Sequence, residues 1–381
     1  MKFAIARNAL CLGWTGWVWM FCAMSANAQT NSFTFSFNDP DRNGREIPVN
    51  FHHDLGTEGL SPLVVIAHGF VMTPSDYDDL VLNLVGEGYV VGLVDTESGF
   101  APSHGDFALD LAFVIRHAAE EVSELAGLLG SASALIGHSM GGGASWLAAA
   151  DLGDELDALI GLAPAETTPS ALAAGTDVVT PTLLISGSSD EVTPPDTQHV
   201  PLYNSLQSVD CRAWVSLVNG GHCGFADAGS LCDFGEILFS GMTRQVQQTH
   251  SFSLINRWLD HHLRATMEGL APMVDYALQA SDDVELELSC DWTDVPLSGN
   301  PLQEIVFWPN PATHEVRFET PSQSSFAVTW RAWSSQGREL DMTWEAPGIL
   351  DVHHWPNGWV LIQGVSDQGH VIRQGRLFVI H

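Results

Sequence analysis

A serine framed by glycines carries the strongest chemical signal in this sequence. The segment GHSMG at 137–141 fits the pattern Gly-x-Ser-x-Gly and lies between an apolar run, Ala134–Gly137, and a helix-like stretch. A serine at such a place projects from a sharp strand-to-helix turn, where side chains two residues to either side would collide, so those positions require glycine. The pattern therefore predicts that Ser139 is a nucleophile.

A serine hydroxyl needs a general base, and the base needs an acid that orients it. Asp190 follows the apolar run Thr182–Ser186, and His222 follows the apolar run Ala213–Val218. If these runs are parallel strands, both residues lie on loops at the same carboxyl edge of the sheet as Ser139. The chain order Ser, Asp, His is the one that this kind of site uses. We therefore expect Ser139, Asp190 and His222 to act as nucleophile, acid and base.

Other acids and bases remain as alternatives. Glu166 follows the apolar run Ala158–Leu162 and is an alternative to Asp190. His104 and His117 lie earlier in the chain, and neither follows the last strand, so His222 is the favoured base.

Acyl transfer also needs donors for the oxyanion that develops on the carbonyl. One donor is expected from the backbone N–H of Met140, directly after the nucleophile, and the second from Phe70 in the loop after Leu63–Ala67. The side chains of Phe70 and Phe225 are expected to line the substrate pocket.

The elements that must position these residues alternate between apolar runs and helix-like stretches over more than 150 residues. Continuous apolar runs are typical of strands buried on both faces, here Leu63–Ala67, Val90–Asp95, Ala134–Gly137, Ala158–Leu162, Thr182–Ser186 and Ala213–Val218. The helix-like stretches are Asp76–Glu87, Phe107–Ala126, Gly141–Ala150, Pro195–Leu206 and Ser251–Arg264. Two earlier segments, Phe33–Phe37 and Ile47–His53, have the pattern of antiparallel edge strands. The alternation predicts an α/β fold with a mostly parallel sheet and helices on both faces.

The pattern of apolar and turn-forming residues changes near residue 293. Residues 293–303 are rich in turn formers and are predicted to be a linker, whereas 304–381 contain short β-type runs separated by turn residues. We expect a catalytic α/β domain at 29–292 and a small all-β sandwich at 304–381.

Residues 1–28 have the pattern of a secretory signal peptide. Lys2 and Arg7 give a positive start, residues 9–24 form an apolar run, and the triplet ANA at 26–28 fits the small-x-small pattern that precedes cleavage. A membrane anchor is the alternative, but the apolar run is short and is interrupted by glycines. We expect the mature protein to be exported.

Four of the six cysteines remain after such a cleavage, an even number in an oxidising compartment. Four cysteines allow three pairings, of which we favour the short-range pair Cys223–Cys232 together with Cys211–Cys290. Unpaired buried thiols are the alternative. A zinc site is disfavoured because no Cys-x-x-Cys spacing occurs.

The composition excludes several partners. The formal net charge of −32 repels phosphate backbones, so nucleic-acid binding is not expected.

The pairs His52-His53, His261-His262 and His353-His354 suggest a metal site at first sight, but adjacent side chains point away from one another on strands and helices, so no metal is expected. No cofactor is expected either.

At these residues the chain resembles the α/β-hydrolase superfamily, and within it the dienelactone hydrolase, chlorophyllase and cutinase-like group that includes poly(ethylene terephthalate) hydrolases. The resemblance covers about residues 45–265 and is carried by HGF at 68–70, GHSMGGG at 137–143, SSD at 188–190 and GH at 221–222. It implies that Ser139, Asp190 and His222 form a catalytic triad, with Phe70 and Met140 as oxyanion donors. Polyester-degrading relatives usually have Ala-Pro-Trp where this chain has Ala-Pro-Ala at 163–165, and often Tyr in place of Phe70.

The tail resembles the C-terminal sorting domain of the type IX secretion system of Bacteroidetes-type bacteria. The matching segments are WPNPA at 308–312, Glu315–Glu319, SQGRE at 335–339, WPNGW at 355–359 and Leu377–Ile380. The resemblance implies that residues 304–381 address the protein to that machinery. The protein would then be extracellular or on the cell surface of a Gram-negative bacterium.

Together these features predict a secreted, monomeric serine ester hydrolase that forms an acyl-enzyme. Its substrate is expected to be a small-molecule, lipid or polymer ester. Two alternatives remain: a serine peptidase or amidase, which would use the same side chains, and a non-catalytic binding protein built on the same fold.

Overall fold

The structure is a computed structural model, and it describes residues 30–56, 59–264 and 269–290. From residue 303 to the end it describes the chain apart from residues 306, 308–311, 319–327, 335–338, 347 and 367–370. The predicted signal peptide at 1–28 and residues 293–302 of the predicted linker lie outside the described residues.

Within the described residues, a nine-stranded sheet forms the centre of the first part of the chain. Its strands are β1 Thr30–Asp39, β2 Arg45–Asp54, β3 Ser61–Ala67, β4 Val90–Val94, β5 Leu129–His138, β6 Ala158–Leu162, β7 Thr182–Gly187, β8 Cys211–Leu217 and β9 Val284–Cys290. Their order across the sheet is β1-β2-β4-β3-β5-β6-β7-β8-β9. The six strands from β4 to β8 in this order are parallel, and β1, β2 and β9 pair antiparallel at the two edges.

Helices cover both faces of this sheet. They are α1 Asp78–Gly86, α2 His104–Glu121, α3 Met140–Leu152, α4 Ala171–Ala174, α5 His199–Ser205, α6 Arg244–Arg264 and α7 Ala271–Gln279. Apolar residues of α1, α6 and α7 join one buried cluster, and those of α2, α3 and α5 join another on the opposite face. The central strands are buried on both faces because every residue of β3, β4 and β6 is apolar or small. The predicted α/β-hydrolase fold is confirmed.

The sequence prediction missed the segment that follows α6. Here α7 is followed by β9, which pairs antiparallel with β8 and places Cys290 directly opposite Cys211. In β9, Val284, Leu286 and Leu288 alternate with outward acidic and polar residues, which is the pattern of an edge strand with one solvated face. Helix α6 also begins at Arg244, earlier than the predicted Ser251.

The C-terminal part of the chain is all-β where it is described. Its strands are β10 Gln303–Glu304, β11 Glu315–Arg317, β12 Val328–Ser334, β13 Glu339–Leu340, β14 Thr343–Ala346, β15 Ile349–Asp351, β16 Gly358–Ser366 and β17 Val371–Val379. They form a five-stranded sheet in the order β10-β17-β16-β12-β13 and a three-stranded sheet in the order β11-β15-β14. Both sheets contribute to one apolar cluster, in which Val316 and Leu350 pack with Ala332, Ile362 and Leu377. The predicted small β-sandwich is therefore present.

Candidate active site

Ser139 lies at the sharp turn between β5 and α3, with φ 54° and ψ −120°. This conformation is strained for a residue with a side chain, and close packing of glycines maintains it. A Cβ at Gly137 would collide with the backbone oxygen of Gly141 and the hydroxyl of Ser145, and one at Gly141 would collide with the backbone oxygen of Ala67. The turn therefore projects Ser139 from the carboxyl edge of the sheet.

The structure brings Ser139, His222 and Asp190 together at this edge. The Nε2 atom of His222 lies 2.9 Å from the Ser139 hydroxyl oxygen, and its Nδ1 atom lies 2.7 Å from Oδ2 of Asp190. Because a carboxylate only accepts hydrogen bonds, Nδ1–H donates to Asp190, and Nε2 is left to accept the serine proton. The three side chains come from loops after β5, β7 and β8, and each is at least 91% buried.

Asp190 is held by backbone and side-chain donors on its own loop. Its Oδ1 accepts the backbone N–H groups of Val192 (2.8 Å) and Thr193 (2.7 Å), and its Oδ2 accepts the Thr193 hydroxyl at 2.9 Å. Burial raises the pKa of the Asp190 carboxyl, but the hydrogen bonds from His222 and Thr193 together lower it by more than burial raises it. The pKa therefore lies below its ordinary value. Asp190 is therefore an anion at neutral pH.

A second histidine lies behind Asp190. The Nε2 atom of His199 donates to the Thr193 hydroxyl at 3.1 Å and lies 4.0 Å from the Asp190 carboxylate. Burial lowers the pKa of His199 to about 4. His199 is therefore neutral at neutral pH, and it supports Thr193 without adding a competing positive charge beside His222.

The two predicted oxyanion donors lie on either side of Ser139. Met140 begins α3, and its N–H belongs to the first helical turn, which has no intrahelical acceptor. The N–H of Phe70 is in the loop after β3, where a Cβ added to the preceding Gly69 would lie 3.5 Å from the Ser139 Cβ. Neither N–H donates to another backbone group among the described residues. Both N–H groups thus have no backbone acceptor in the described part of the chain, which is what the predicted role requires.

His138 connects the oxyanion loop to the loop of His222. Its Nε2 donates to the backbone oxygen of His222 at 3.2 Å, and its Nδ1 accepts from the Tyr77 hydroxyl at 2.9 Å. Tyr77 in turn accepts the backbone N–H of Gly69 at 2.9 Å. Burial, together with the nearby His222, lowers the pKa of His138 to about 3, so the ring is neutral and the direction of every hydrogen bond is defined.

The other sequence-predicted residues have different surroundings. Phe70 is 49% exposed and is available to a substrate. Phe225 is 2% exposed, and its ring centroid lies 6.0 Å from that of His138. Phe225 thus packs in the buried core beside His138, and its contact with a substrate stays a prediction.

The alternative acid and bases lie away from the three side chains. The Glu166 carboxylate accepts the backbone N–H of Leu172 at 2.8 Å, at the start of α4. His104 accepts the N–H of Thr168 at 3.1 Å, and His117 pairs with Glu121 on the same helix at 3.2 Å.

Sequence reasoning missed four supporting residues of the site: Tyr77, His138, Thr193 and His199. Only His138 lies within a sequence motif, GHSMG at 137–141. Tyr77 and His199 lie at helix starts and Thr193 in the Asp190 loop, and only the fold brings them to the triad.

The four cysteines form two disulfides in the structure. Cys211–Cys290 joins β8 to β9 at a sequence separation of 79, and Cys223–Cys232 closes a short loop directly after His222. Among the described residues, no helix combines the length and apolarity needed to cross a membrane.

Two groups of side chains in the described part of the chain have the spacing of metal ligands. In the first group, Cys232 is disulfide-bonded and His222 contacts both Ser139 and Asp190, so they are not free to bind an ion. The second group, Asp351, His353 and His354, lies on an exposed turn after β15, where His353 already pairs with Asp351 at 2.6 Å. This arrangement gives no support to a metal-dependent site.

Comparison with known proteins places this chain in a family. Residues 49–265, more than half of the chain, match the family of PET hydrolase-like proteins. The chain is 32% identical over 169 residues to the bis(hydroxyethyl) terephthalate hydrolase of Streptomyces coelicolor, covering 44% of this chain and 52% of that protein. It is 30% identical over 162 residues to cutinase est1 of Thermobifida alba, covering 42% and 52%. The matches thus span about half the length of each of these relatives. On the family match, the chain belongs to the PET hydrolase-like family.

Proposed function

We propose that the protein is a serine ester hydrolase in which Ser139 is the nucleophile, His222 the general base and Asp190 the orienting acid. The observation that supports this proposal is the continuous series of hydrogen bonds from the Ser139 hydroxyl through His222 to Asp190, at 2.9 and 2.7 Å. Such a series makes a serine hydroxyl reactive, because the proton has an acceptor already aligned with it.

The reaction follows from this geometry. Ser139 Oγ attacks the ester carbonyl carbon while Nε2 of His222 takes its proton, and the oxyanion accepts the N–H groups of Met140 and Phe70. When the tetrahedral intermediate collapses, His222 returns the proton to the leaving alcohol and an acyl-enzyme remains. Water then attacks the acyl carbon with His222 again as base, which releases the carboxylic acid and restores Ser139.

Asp190 supplies the charge that this cycle needs. Its lowered pKa keeps it an anion while His222 becomes an imidazolium, so the developing positive charge meets a buried partner at 2.7 Å. Thr193 and His199 add hydrogen bonds without adding charge, and they keep the carboxylate oriented toward Nδ1.

The substrate class is proposed from the relatives and from the surroundings of Ser139. Two relatives carry the names of hydrolases of a terephthalate ester and of cutin. The exposed ring of Phe70 offers an apolar contact for an acyl chain or an aromatic acyl group. Ala165, where polyester-degrading relatives usually have tryptophan, provides no aromatic ring, which favours small or lipid-like esters over rigid polyester chains.

The experiment that tests this function combines a covalent probe with ester hydrolysis. A fluorophosphonate should label the wild type and not Ser139→Ala, while Ser208→Ala, which changes an exposed serine, should still be labelled. A panel of p-nitrophenyl esters of increasing chain length then measures turnover. Absence of labelling in the wild type would support a non-catalytic binding protein, and labelling without turnover of any ester would support an amidase or peptidase.

We further propose that the protein is exported as a monomer. The signal-like residues 1–28, the two disulfides and the resemblance of residues 304–381 to a type IX sorting domain support this route. Mass spectrometry of protein from the culture medium should find an N-terminus at Gln29, and deletion of 304–381 should leave the protein in the periplasm. Secretion of the truncated protein would contradict the role of the tail.

A further inference from the structure

The loop that carries His222 is held by side chains that come later in the sequence. The amide side chain of Gln247 pairs with both backbone groups of Gly221, accepting its N–H at 2.9 Å and donating to its oxygen at 2.7 Å. The Glu236 carboxylate accepts the N–H groups of His222 (2.5 Å) and Cys223 (2.7 Å). With His138 on the oxygen of His222 and Arg244 on that of Cys223, at 3.2 and 3.0 Å, all six backbone polar groups of residues 221–223 are bound by side chains.

Of these side chains, Glu236 is the one that must accept two adjacent backbone N–H groups. A short helical turn, Cys223–Phe225, begins directly after His222, so the N–H groups of His222 and Cys223 have no acceptor within that turn. A carboxylate has two oxygens that only accept, and it therefore matches two adjacent N–H groups with charge-assisted hydrogen bonds. Neither an amide nor a hydroxyl offers the same pair of acceptors.

The segment around Glu236 has few other attachments to the protein. Its large apolar side chains Phe234, Ile237 and Leu238 are 73–91% exposed, whereas Phe239 is partly buried beside Gly221, so burial of apolar surface contributes little to holding the segment in place. What holds it is the Glu236 carboxylate, the disulfide from Cys232 to Cys223 and the ion pair between Asp233 and Arg244. All of these contacts lead back to the loop of His222 or to the start of α6.

We propose that Glu236 is a positioning residue for His222: its carboxylate fixes the loop backbone so that Nε2 meets the Ser139 hydroxyl. The proposal rests on the proposed function, because it concerns the same base. Displacing a reacting group by about 1 Å costs about 100-fold in rate, so loss of the carboxylate is expected to lower kcat by a factor of that order. KM should change little, since Glu236 contacts no expected substrate group.

The test uses Glu236→Ala and Glu236→Gln in the full-length protein, with Glu191→Gln as the matched control. Glu191 is an exposed carboxylate lining the same groove as Glu236, so its replacement removes the same charge without touching the loop. We expect kcat for a p-nitrophenyl ester to fall about 100-fold in Glu236→Ala and about 10-fold in Glu236→Gln, which keeps one acceptor oxygen. Glu191→Gln should stay within about twofold of the wild type.

A second measurement does not depend on turnover. The proton on Nδ1 of His222, shared with Asp190, should give a low-field proton resonance in the wild type and in Glu191→Gln, and this resonance should weaken or shift in both Glu236 variants. If the wild type hydrolyses no ester, the proposed function fails, and the resonance alone decides the role of Glu236. If Glu236→Ala does not fold, Glu236→Gln carries the test.

The proposal would be overturned by a Glu236 variant with wild-type kcat and an unchanged resonance. If the melting temperature of such a variant fell, Glu236 would be assigned to stability and not to the position of His222.

Discussion

The two sides of the candidate site are fixed by opposite means. On the nucleophile side, Gly137 and Gly141 allow backbone to approach backbone so closely that no Cβ fits between them. On the base side, the charged and amide groups of Glu236 and Gln247 bind the backbone of the His222 loop. The nucleophile turn should therefore be sensitive to added atoms, and the base loop to removed hydrogen-bonding groups.

The largest effect is expected when the charge behind His222 is removed. Asp190→Asn keeps the shape of the carboxylate but no longer favours Nδ1–H on His222 or stabilises the imidazolium, so kcat should fall by about 10⁴-fold. Glu166→Gln is the control, because Glu166 contacts the start of α4 instead of His222. Measured kcat values for a p-nitrophenyl ester check this prediction. A larger loss in Glu166→Gln than in Asp190→Asn would reverse the assignment of the acid.

A smaller but still large effect is expected from one added methyl group on the nucleophile side. Gly137→Ala places a Cβ against the Gly141 oxygen and the Ser145 hydroxyl, which must displace the turn that holds Ser139. We expect kcat to fall about 100-fold and the free energy of unfolding to fall by about 1–3 kcal/mol.

Gly130→Ala is the matched control for this change, since it adds the same atom to the same strand, β5. There the new Cβ would meet only Leu60 and Ser61 at ordinary contact distances of 3.7 Å and beyond. Urea unfolding and ester hydrolysis should separate the two variants. Equal behaviour of both would show that close packing does not fix the nucleophile turn.

This contrast also explains what the sequence could predict. The constraints on Ser139 lie mostly within seven residues, 137–143, so a local pattern predicts the turn, the strand before it and the helix after it. Asp190 and His222 were predictable because parallel strands end at one edge, which turns three distant loops into one site.

The supports of the base side left no comparable pattern. Glu236 and Gln247 reach the His222 loop from 14 and 26 residues away, through a segment whose path depends on the fold. The burial of Phe225 could not be predicted either, since nothing in the local sequence tells whether the chain after His222 turns outward or into the core. Strand β9 has a clear alternation of apolar and polar residues, but alternation alone does not indicate which strand it pairs with, so its place beside β8 was not predicted.

An intermediate effect on activity is expected from the disulfide on the base side. Replacing Cys223 and Cys232 with serine frees the segment that carries Glu236, so kcat should fall about 10-fold. Replacing Cys211 and Cys290 should leave kcat nearly unchanged, because that disulfide joins β8 to the edge strand β9.

Stability should change in the opposite order. In the chain-entropy account, the contribution of a disulfide grows with the length of the loop that it closes. The Cys223–Cys232 disulfide should therefore contribute about 2.7 kcal/mol to the free energy of unfolding, and Cys211–Cys290 about 4.5 kcal/mol. Paired measurements of kcat and urea unfolding on the two double variants check this. A loss of kcat that follows stability in both would argue against a special role for the Cys223–Cys232 loop.

The smallest effect is expected from lowering the pH, which should reduce the free energy of unfolding through two buried histidines, His138 and His199. Burial lowers the pKa of His138 to about 3 and that of His199 to about 4, from an ordinary value near 6.5. Below that ordinary value the unfolded chain takes up protons that the folded protein does not, so the free energy of unfolding should fall as the pH drops from about 6.5 toward about 4. Above about pH 7 these two groups should contribute no pH dependence.

His199→Gln separates the two histidines. Glutamine keeps a donor for the Thr193 hydroxyl but does not titrate, so the acid slope of the unfolding free energy should become shallower while kcat at neutral pH changes little. Urea unfolding at several pH values measures the slope. An unchanged slope would show that protonation of His199 is not linked to unfolding. The acid sensitivity would then come from other buried histidines with a lowered pKa: His262, or His138, which binds the His222 oxygen and thereby connects the glycine-packed turn to the side-chain-held loop.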